Sequence, residues 1–400
     1  MSAHHRGELY RAGSGWGFRF SIRVNGERRF IRQQSKSWTR KEANQAMVKA
    51  MADADAGIDK GTSKAKVGDF LRSWIEAREK GGRLKATTLG TMRVHIERYL
   101  IPAIGEVRLG DLKPATIEDL YGDLLAEGSL GKSAKPAGAG LSPKSVRNIA
   151  GTLHKALADA VRQGVIAGNP ADRVDLPRWD RPQVRAWDRR QVASFLAWSM
   201  SNDDSMFPIW FLLFSTGMRR GEILGLRWVD VDLVGSTVRI QQTRVVAESR
   251  GVIVSSPKSR AGSRVTTIDA SVRDALAMLK DRQEAAAERL RLAEPTLVAC
   301  DLDGRPISPQ ALSRRFQKAQ EAAGMDPKIR LHDARHTHAS ILFHEGESIV
   351  EVSGRLGHSR VSTTLDVYAH LLPNADRELA DRFGARLKAD LDQAKQRLDR

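Results

Sequence analysis

Cysteine is nearly missing from the 400-residue chain, with Cys300 its only example. A single thiol excludes an internal disulfide framework, a thiolate metal cluster and a Cys-X-X-Cys redox pair. Long apolar runs are missing too. The longest, Met206 to Phe214, contains Pro208 and falls well short of the roughly 20 residues that a membrane-crossing helix needs. The opening MSAHHRGELY has no apolar stretch of the kind a secretory leader carries. No G-x-x-x-x-G-K-[ST] loop is present to cradle a nucleotide. These gaps lead to the expectation of a soluble, cytoplasmic chain. Negative charge is also scarce: 48 Asp and Glu face 65 Lys and Arg, a net charge of +17. Such an excess fits a polyanionic partner, most often nucleic acid. A generically basic protein is the plainer alternative.

The composition, 41% hydrophobic and 28% charged, is that of a globular chain. The length suggests two to three domains at roughly 150 residues each. Residues 1–62 read as a small sheet plus one helix. Phe18, Phe20, Ile22 and Val24 alternate with Arg19, Ser21 and Arg23, the period of a half-buried strand. Asn25-Gly26 is a hairpin turn signal, with Arg28 to Gln33 as the return strand and Leu9 to Arg11 as a third. Thr39 and Glu42 form a capping box that opens a helix to about Ala56. One sheet face then carries Arg19 and Arg23 together, which suits insertion into a groove, although solvated basic faces are common.

Residues 63–170 read as four helices. The cleanest stripe is Val146, Ile149, Leu153, Leu157 and Val161, behind the start signal Ser142-Pro143. Residues 171–187 form an Arg-rich linker in which Pro177 and Pro182 block helix formation. It can track a phosphate backbone or serve as a bare tether. Residues 188–400 are expected to be mainly helical. A small antiparallel sheet is expected from strands at Thr237 to Val246 and Gly251 to Ile268. Short helices should break at Gly346, Gly354 and Gly357. The predicted fold class is therefore multidomain α+β: a three-stranded sheet with a helix, an all-α four-helix domain, and a mainly α domain with a small antiparallel sheet.

Four clusters of polar residues stand out in the last segment. Thr216-Gly217-Met218-Arg219-Arg220-Gly221-Glu222 follows a buried apolar helix. Pro257-Lys258-Ser259-Arg260 lies in a strand-to-strand turn. Leu331-His332-Asp333-Ala334-Arg335-His336 opens a helix, with His332 and Arg335 on one face. Leu356-Gly357-His358 and Tyr368-Ala369-His370 complete the set. Taken singly, each has an ordinary explanation as surface charge, a satisfied histidine or packing.

In combination, TGMRRGEILGLRW, PKSRAGSR, LHDARHTHAS and LGHSRVSTTLDVYAH, in this order and spacing, resemble the tyrosine recombinases, specifically phage-type integrases. The motifs cover about 188 to 385; the N-terminal parts match by layout. The resemblance implies an arm-type DNA-binding domain (1–62), a helical core-binding domain (63–170) and a catalytic domain with a helical tail (188–400). The two larger domains are expected to clamp a duplex. By the same resemblance Arg219 and Arg335 clamp the scissile phosphate and Tyr368 is the nucleophile. His332 and His358 are the two histidines of the site, Lys258 is the hairpin lysine and Glu222 is the supporting acid. Ala334 stands where the family usually has a larger apolar residue. The implied activity is site-specific strand cleavage and rejoining through a covalent 3′-phosphotyrosine, without metal or cofactor. The implied partners are double-stranded attachment-site DNA, three further copies of the chain on that DNA, and a host DNA-bending or directionality factor. No membrane is implied.

These residue types suit that chemistry. Two planar guanidiniums can grip both non-bridging oxygens of a phosphodiester. A tyrosine hydroxyl, with a pKa near 10, needs help to lose its proton, and His332 has the proton affinity to take it. Three rivals remain. His332 and His336, four apart on a helix, superficially resemble a zinc motif, but no third ligand is placed. A type IB topoisomerase shares the chemistry, although the N-terminal sheet favours recombination. A non-catalytic DNA-binding regulator shares the fold. Asp230 with Asp232 and Asp301 with Asp303 read as turn residues.

Overall fold

The computed structural model describes residues 7–24, 27–55, 65–128, 139–180, 185–247, 251–256, 260–368 and 375–398. The chain divides into two compact units, Met1–Arg181 and Pro182–Arg400.

The first unit opens with an antiparallel sheet of β1 (Glu8–Ala12), β2 (Gly15–Val24) and β3 (Glu27–Ser35), in the order β1-β2-β3. Leu9 lies opposite Phe18 and Ile31 opposite Phe20. Alternation along β2 therefore turns both phenylalanines to one face, where they are buried with Ala50 of α1 (Arg40–Asp55). The expected capping box is present. The Thr39 amide donates to Glu42 at 2.7 Å and the Glu42 amide donates back to the Thr39 hydroxyl. The Asn25-Gly26 turn lies outside the described residues.

Four helical stretches follow. They are α2 (Val67–Lys80), α3 (Ala86–His95) running on into α4 (Ile101–Ile104), α5 (Pro114–Glu127) and α6 (Pro143–Arg162). A single wide turn at Ile96–Leu100 joins α3 to α4. Pro102 sits just beyond it and has no N–H for the preceding turn, which accounts for the loosening there. Leu71, Trp74, Leu100, Leu120, Ile149 and Leu153 form the shared core. Asp159 is buried beside it, and accepts from the Trp74 indole at 2.7 Å and from the Arg78 and Arg162 guanidiniums.

The second unit is built on an aromatic core. Trp187, Phe195, Trp210, Phe214 and Phe316 pack with neighbouring ring centroids 5.3–6.2 Å apart. The rings come from the entry segment, α7 (Arg189–Ser201), α8 (Phe207–Thr216) and α11 (Pro309–Ala322). Asp188 caps α7 as expected, but the apolar run to Met218 is two helices. Asp204 breaks it by accepting from the Met206 amide and the Trp210 indole.

The two long strands expected here are each split in two. β5 (Thr237–Ile240) pairs with β4 (Val231–Asp232) on one side and β8 (Arg264–Thr267) on the other, while β6 (Thr243–Ala247) and β7 (Gly251–Ser255) form a separate ribbon. The split of the first follows from close packing of α9 (Arg220–Gly225) on β6. A Cβ on Gly225 would meet the Gln242 backbone carbonyl at 2.9 Å, and the Gln242 side-chain Nε2 donates to the Gly225 carbonyl. The remaining helices are α10 (Ala270–Leu290), α12 (Asp333–His344), α13 (Ile349–Leu356), α14 (Val361–Tyr368) and α15 (Ala375–Leu398). The break expected at Gly354 is absent, because that residue is helical within α13, which ends instead at Gly357 with φ of 67°. Among the described residues no helix is long and apolar enough to cross a membrane.

Candidate active site

Arg335 organises the site. Its side chain is drawn inside, 3% exposed. It donates from one terminal nitrogen to the Gly217 carbonyl at 2.8 Å and from the other to the Leu356 carbonyl at 2.6 Å. It therefore ties the turn before Arg219 to the turn before His358. Gly217 has φ of 62°, and a Cβ there would come within 2.8 Å of both His338 and Leu356. Only glycine fits that backbone and that gap. Burial, and then the nearby charge of Arg219, lower the Arg335 pKa, yet a guanidinium stays charged under any ordinary condition.

Arg219 caps the start of α9 and is held by Glu222, 1% exposed. One carboxylate oxygen accepts from the Arg219 side chain at 2.6 Å, the other from the Arg219 amide at 2.9 Å and from Arg264 at 3.2 Å. Burial alone would raise the Glu222 pKa. The guanidiniums of Arg264 and Arg219 outweigh it and hold the carboxyl below its usual range. Arg264 also donates to the Arg355 carbonyl at 2.9 Å, linking β8 to α13. Sequence reasoning missed Arg264; its only signal is a cation within the PKSRAGSR stretch. Glu222→Ala would leave Arg264 buried without its anion. We expect a stability loss of about 3–5 kcal/mol, read as the fall in denaturant midpoint. Unchanged stability would show that the three groups are not coupled.

Tyr368, the last residue of α14, is 1% exposed and packs on Phe343 at 5.4 Å. Its hydroxyl lies 2.6 Å from Nδ1 of His336. Burial pushes its pKa up, against a smaller pull from Arg335. His332 stands exposed at the start of α12, its ring edge-on to His336 at 5.3 Å. The crowding of protein around it, then Arg335, lowers its pKa. His358 bonds through Nδ1 to the Thr364 hydroxyl at 2.7 Å. Burial, followed by the charges of Arg335 and Arg219, brings its pKa down to about 4.

Five expected residues, Arg219, His332, Arg335, His358 and Tyr368, thus lie around one positively charged site with Glu222 beneath it. Lys258 lies outside the described residues. His336 entered the sequence reading only as half of a zinc-like pair. Its adjacency to Arg335 was visible, but its contact with a tyrosine 32 residues away was not. His338 has a structural role, with Nδ1 on the Phe214 carbonyl and Nε2 accepting from Arg355. Among the described residues no three His, Cys, Asp or Glu side chains converge as a metal site requires.

In the other unit, Arg19 is exposed on β2 opposite Arg32, and its guanidinium is paired with Glu8. The Arg23 backbone lies in β2 opposite Arg28, and its side chain is outside the described residues.

The profile of the phage integrase family matches residues 189–375, and that of the phage integrase N-terminal SAM-like domain matches 66–125. The ICEBs1 integrase of Bacillus subtilis is 32% identical over 247 residues, 61% of this chain and 66% of that one. A tyrosine recombinase XerC-like protein of Caldanaerobacter subterraneus is 25% identical over 381 residues, 89% of this chain and 93% of that one. Among solved structures, the Tn1549 transposon integrase in complex with circular intermediate DNA superposes with a TM-score of 0.65 at 19% identity. That alignment covers 80% of this chain and 99% of that one. A lambda integrase tetramer bound to a Holliday junction gives 0.51 at 17% identity, over 88% and 95%. These two structures share the fold.

Proposed function

The chain belongs to the phage integrase family of tyrosine recombinases, and on that premise we propose that it integrates and excises a mobile DNA element by cutting and rejoining strands through Tyr368. The observation that carries this reading is a tyrosine hydroxyl, bonded to a histidine at 2.6 Å, at a site where Arg335 is fixed by two carbonyls and Arg219 by a buried carboxylate.

The roles follow from charge. The guanidiniums of Arg219 and Arg335 grip the non-bridging oxygens of the scissile phosphate and meet the charge that builds up on them in the transition state. Because both are fixed beforehand, they need little rearrangement when that charge appears. His358, neutral at pH 7 by its lowered pKa, offers Nε2 to the same phosphate as a hydrogen-bond donor. Tyr368 attacks phosphorus, a phosphotyrosine forms, and the 5′ oxygen leaves with a proton from Lys258. The covalent bond conserves the energy of the broken strand, so a new 5′ hydroxyl reseals it without ATP. The test is a supercoiled plasmid carrying the DNA that flanks the gene, incubated with protein in EDTA and stopped with SDS. Relaxation and protein covalently held on DNA are the expected results.

The division into arm-binding (1–62), core-binding (63–170), linker (171–187) and catalytic (188–400) parts belongs to the same proposal. It is supported by the separate cores of the N-terminal sheet and the helices. Arg19 is proposed to reach DNA from the open sheet face by exchanging Glu8 for phosphate or base. Arg23, four residues along the same strand and so on the same face, is proposed to act beside it. Four protomers are proposed to act on two duplexes, with a host DNA-bending or directionality factor setting the outcome. Deleting residues 1–62 is expected to abolish binding to arm sites while core-site binding persists, in a gel-shift assay on each site alone. Loss of both would show that the division is misplaced.

A further inference from the structure

We propose that His336 is a catalytic residue, the base that receives the proton of Tyr368 as the tyrosine attacks. The proposal rests on Tyr368 being the nucleophile. The geometry is direct. Nδ1 of His336 is 2.6 Å from the phenolic oxygen, within the range for proton transfer. The phenol is buried against Phe343, so bulk water does not serve as its ready acceptor. With its proton on Nε2, a neutral imidazole presents a lone pair at Nδ1, and the hydroxyl donates to it.

The step balances. The Tyr368 oxygen bonds to phosphorus as its proton moves to Nδ1 of His336. The P–O5′ bond breaks, and the 5′ oxygen takes a proton from Lys258. On resealing, a 5′ hydroxyl attacks and gives its proton to the neutral Lys258 amine, the P–O bond to tyrosine breaks, and the imidazolium returns its proton to the phenolate.

The surroundings tune this base. His332, Asp333 and Arg330 lie at or near the start of α12 with Arg335. Tyr368 approaches from α14, and His358 from the turn before it. Burial, His332 and Arg335 together bring the His336 pKa down to about 4, with Asp333 opposing them. The free site therefore holds His336 neutral at physiological pH, ready to accept. A bound phosphate diester sets an anion beside Arg335 and raises His336's proton affinity when the proton must move.

His336→Gln tests this in the full chain, using the flank-bearing plasmid and the rate of SDS-stable adduct formation in a single turnover. Glutamine can hold the hydroxyl but cannot take its proton. We expect a rate about 10²–10⁴-fold below the parent at pH 7. The ratio of variant to parent should climb with pH from 6 to 9, as a growing phenolate fraction of Tyr368 makes the missing base less necessary. A ratio that stays constant across that range would overturn the proposal and leave His336 a positioning residue. A second measurement replaces Tyr368 with 3,5-difluorotyrosine, whose phenol is more acidic. It should restore most of the rate in His336→Gln; no restoration would overturn the base role. If His336→Gln fails to fold, the same two measurements on His336→Asn decide. Tyr368→Phe run alongside separates the two readings. Adduct that persists in Tyr368→Phe removes the nucleophile and this proposal with it. Adduct lost there, with a pH-independent His336→Gln ratio, removes only the base.

Discussion

Tyr368→Phe is expected to form no SDS-stable DNA adduct and to relax no plasmid, while binding the same DNA as tightly as the parent. The change removes one oxygen. The ring keeps its place against Phe343, and the buried position loses a single hydrogen bond to His336, worth about 0.5–1.5 kcal/mol. That is a small part of the stability of a folded unit of this size, so the variant should melt within a few degrees of the parent. Chemistry has no such cushion, because without the phenolic oxygen no covalent intermediate can form. Gel shift, melting curve and adduct assay together make the result decisive. Adduct of undiminished yield would mean that another residue attacks. Lost binding would mean that Tyr368 is structural.

Arg219→Lys should lower the rate of cleavage by about 10²–10³-fold, the size of effect seen when a fixed donor to a developing oxyanion is removed. The positive charge survives, so electrostatic attraction for DNA should be little changed. What disappears is the fork. Arg219 is oriented by two bonds to Glu222, one through its side chain and one through its amide, and this leaves other N–H groups to meet the phosphate. A lysine has one nitrogen to divide between carboxylate and phosphate. The loss should therefore fall on the single-turnover rate, with apparent DNA affinity nearly constant. A near-normal rate would remove Arg219 from the catalytic group.

The pattern of elements could be read along the chain wherever local signals agree. Alternation in Phe18 and Phe20, the Thr39–Glu42 box and the stripe from Val146 to Val161 each depend on near neighbours, and each became the expected strand or helix. Reading failed where distant packing decides. The strand expected at 237–246 is divided where α9 lies against Gln242 and Thr243, and the one expected at 251–268 is divided as its halves pair with different strands, β7 with β6 and β8 with β5. The helix expected to break at Gly354 continues, since a glycine in a helix costs only about 1 kcal/mol and α13 buries Val352 and Leu356 around it. The site shows the same contrast. Arg219 and Glu222, three residues apart, could be paired from spacing. Arg264 beneath Glu222, and His336 on Tyr368, depend on contacts 42 and 32 residues apart. No periodicity signals them.

The two carbonyls that hold Arg335 lie 118 residues before it and 21 after it. Contacts of such separation form late, after long loops have closed. A nascent or partly unfolded chain therefore has its tyrosine and its arginines, but not the seat that aims the guanidinium. The aim of that guanidinium is thus a property of the completed unit, and no single segment of the chain carries it.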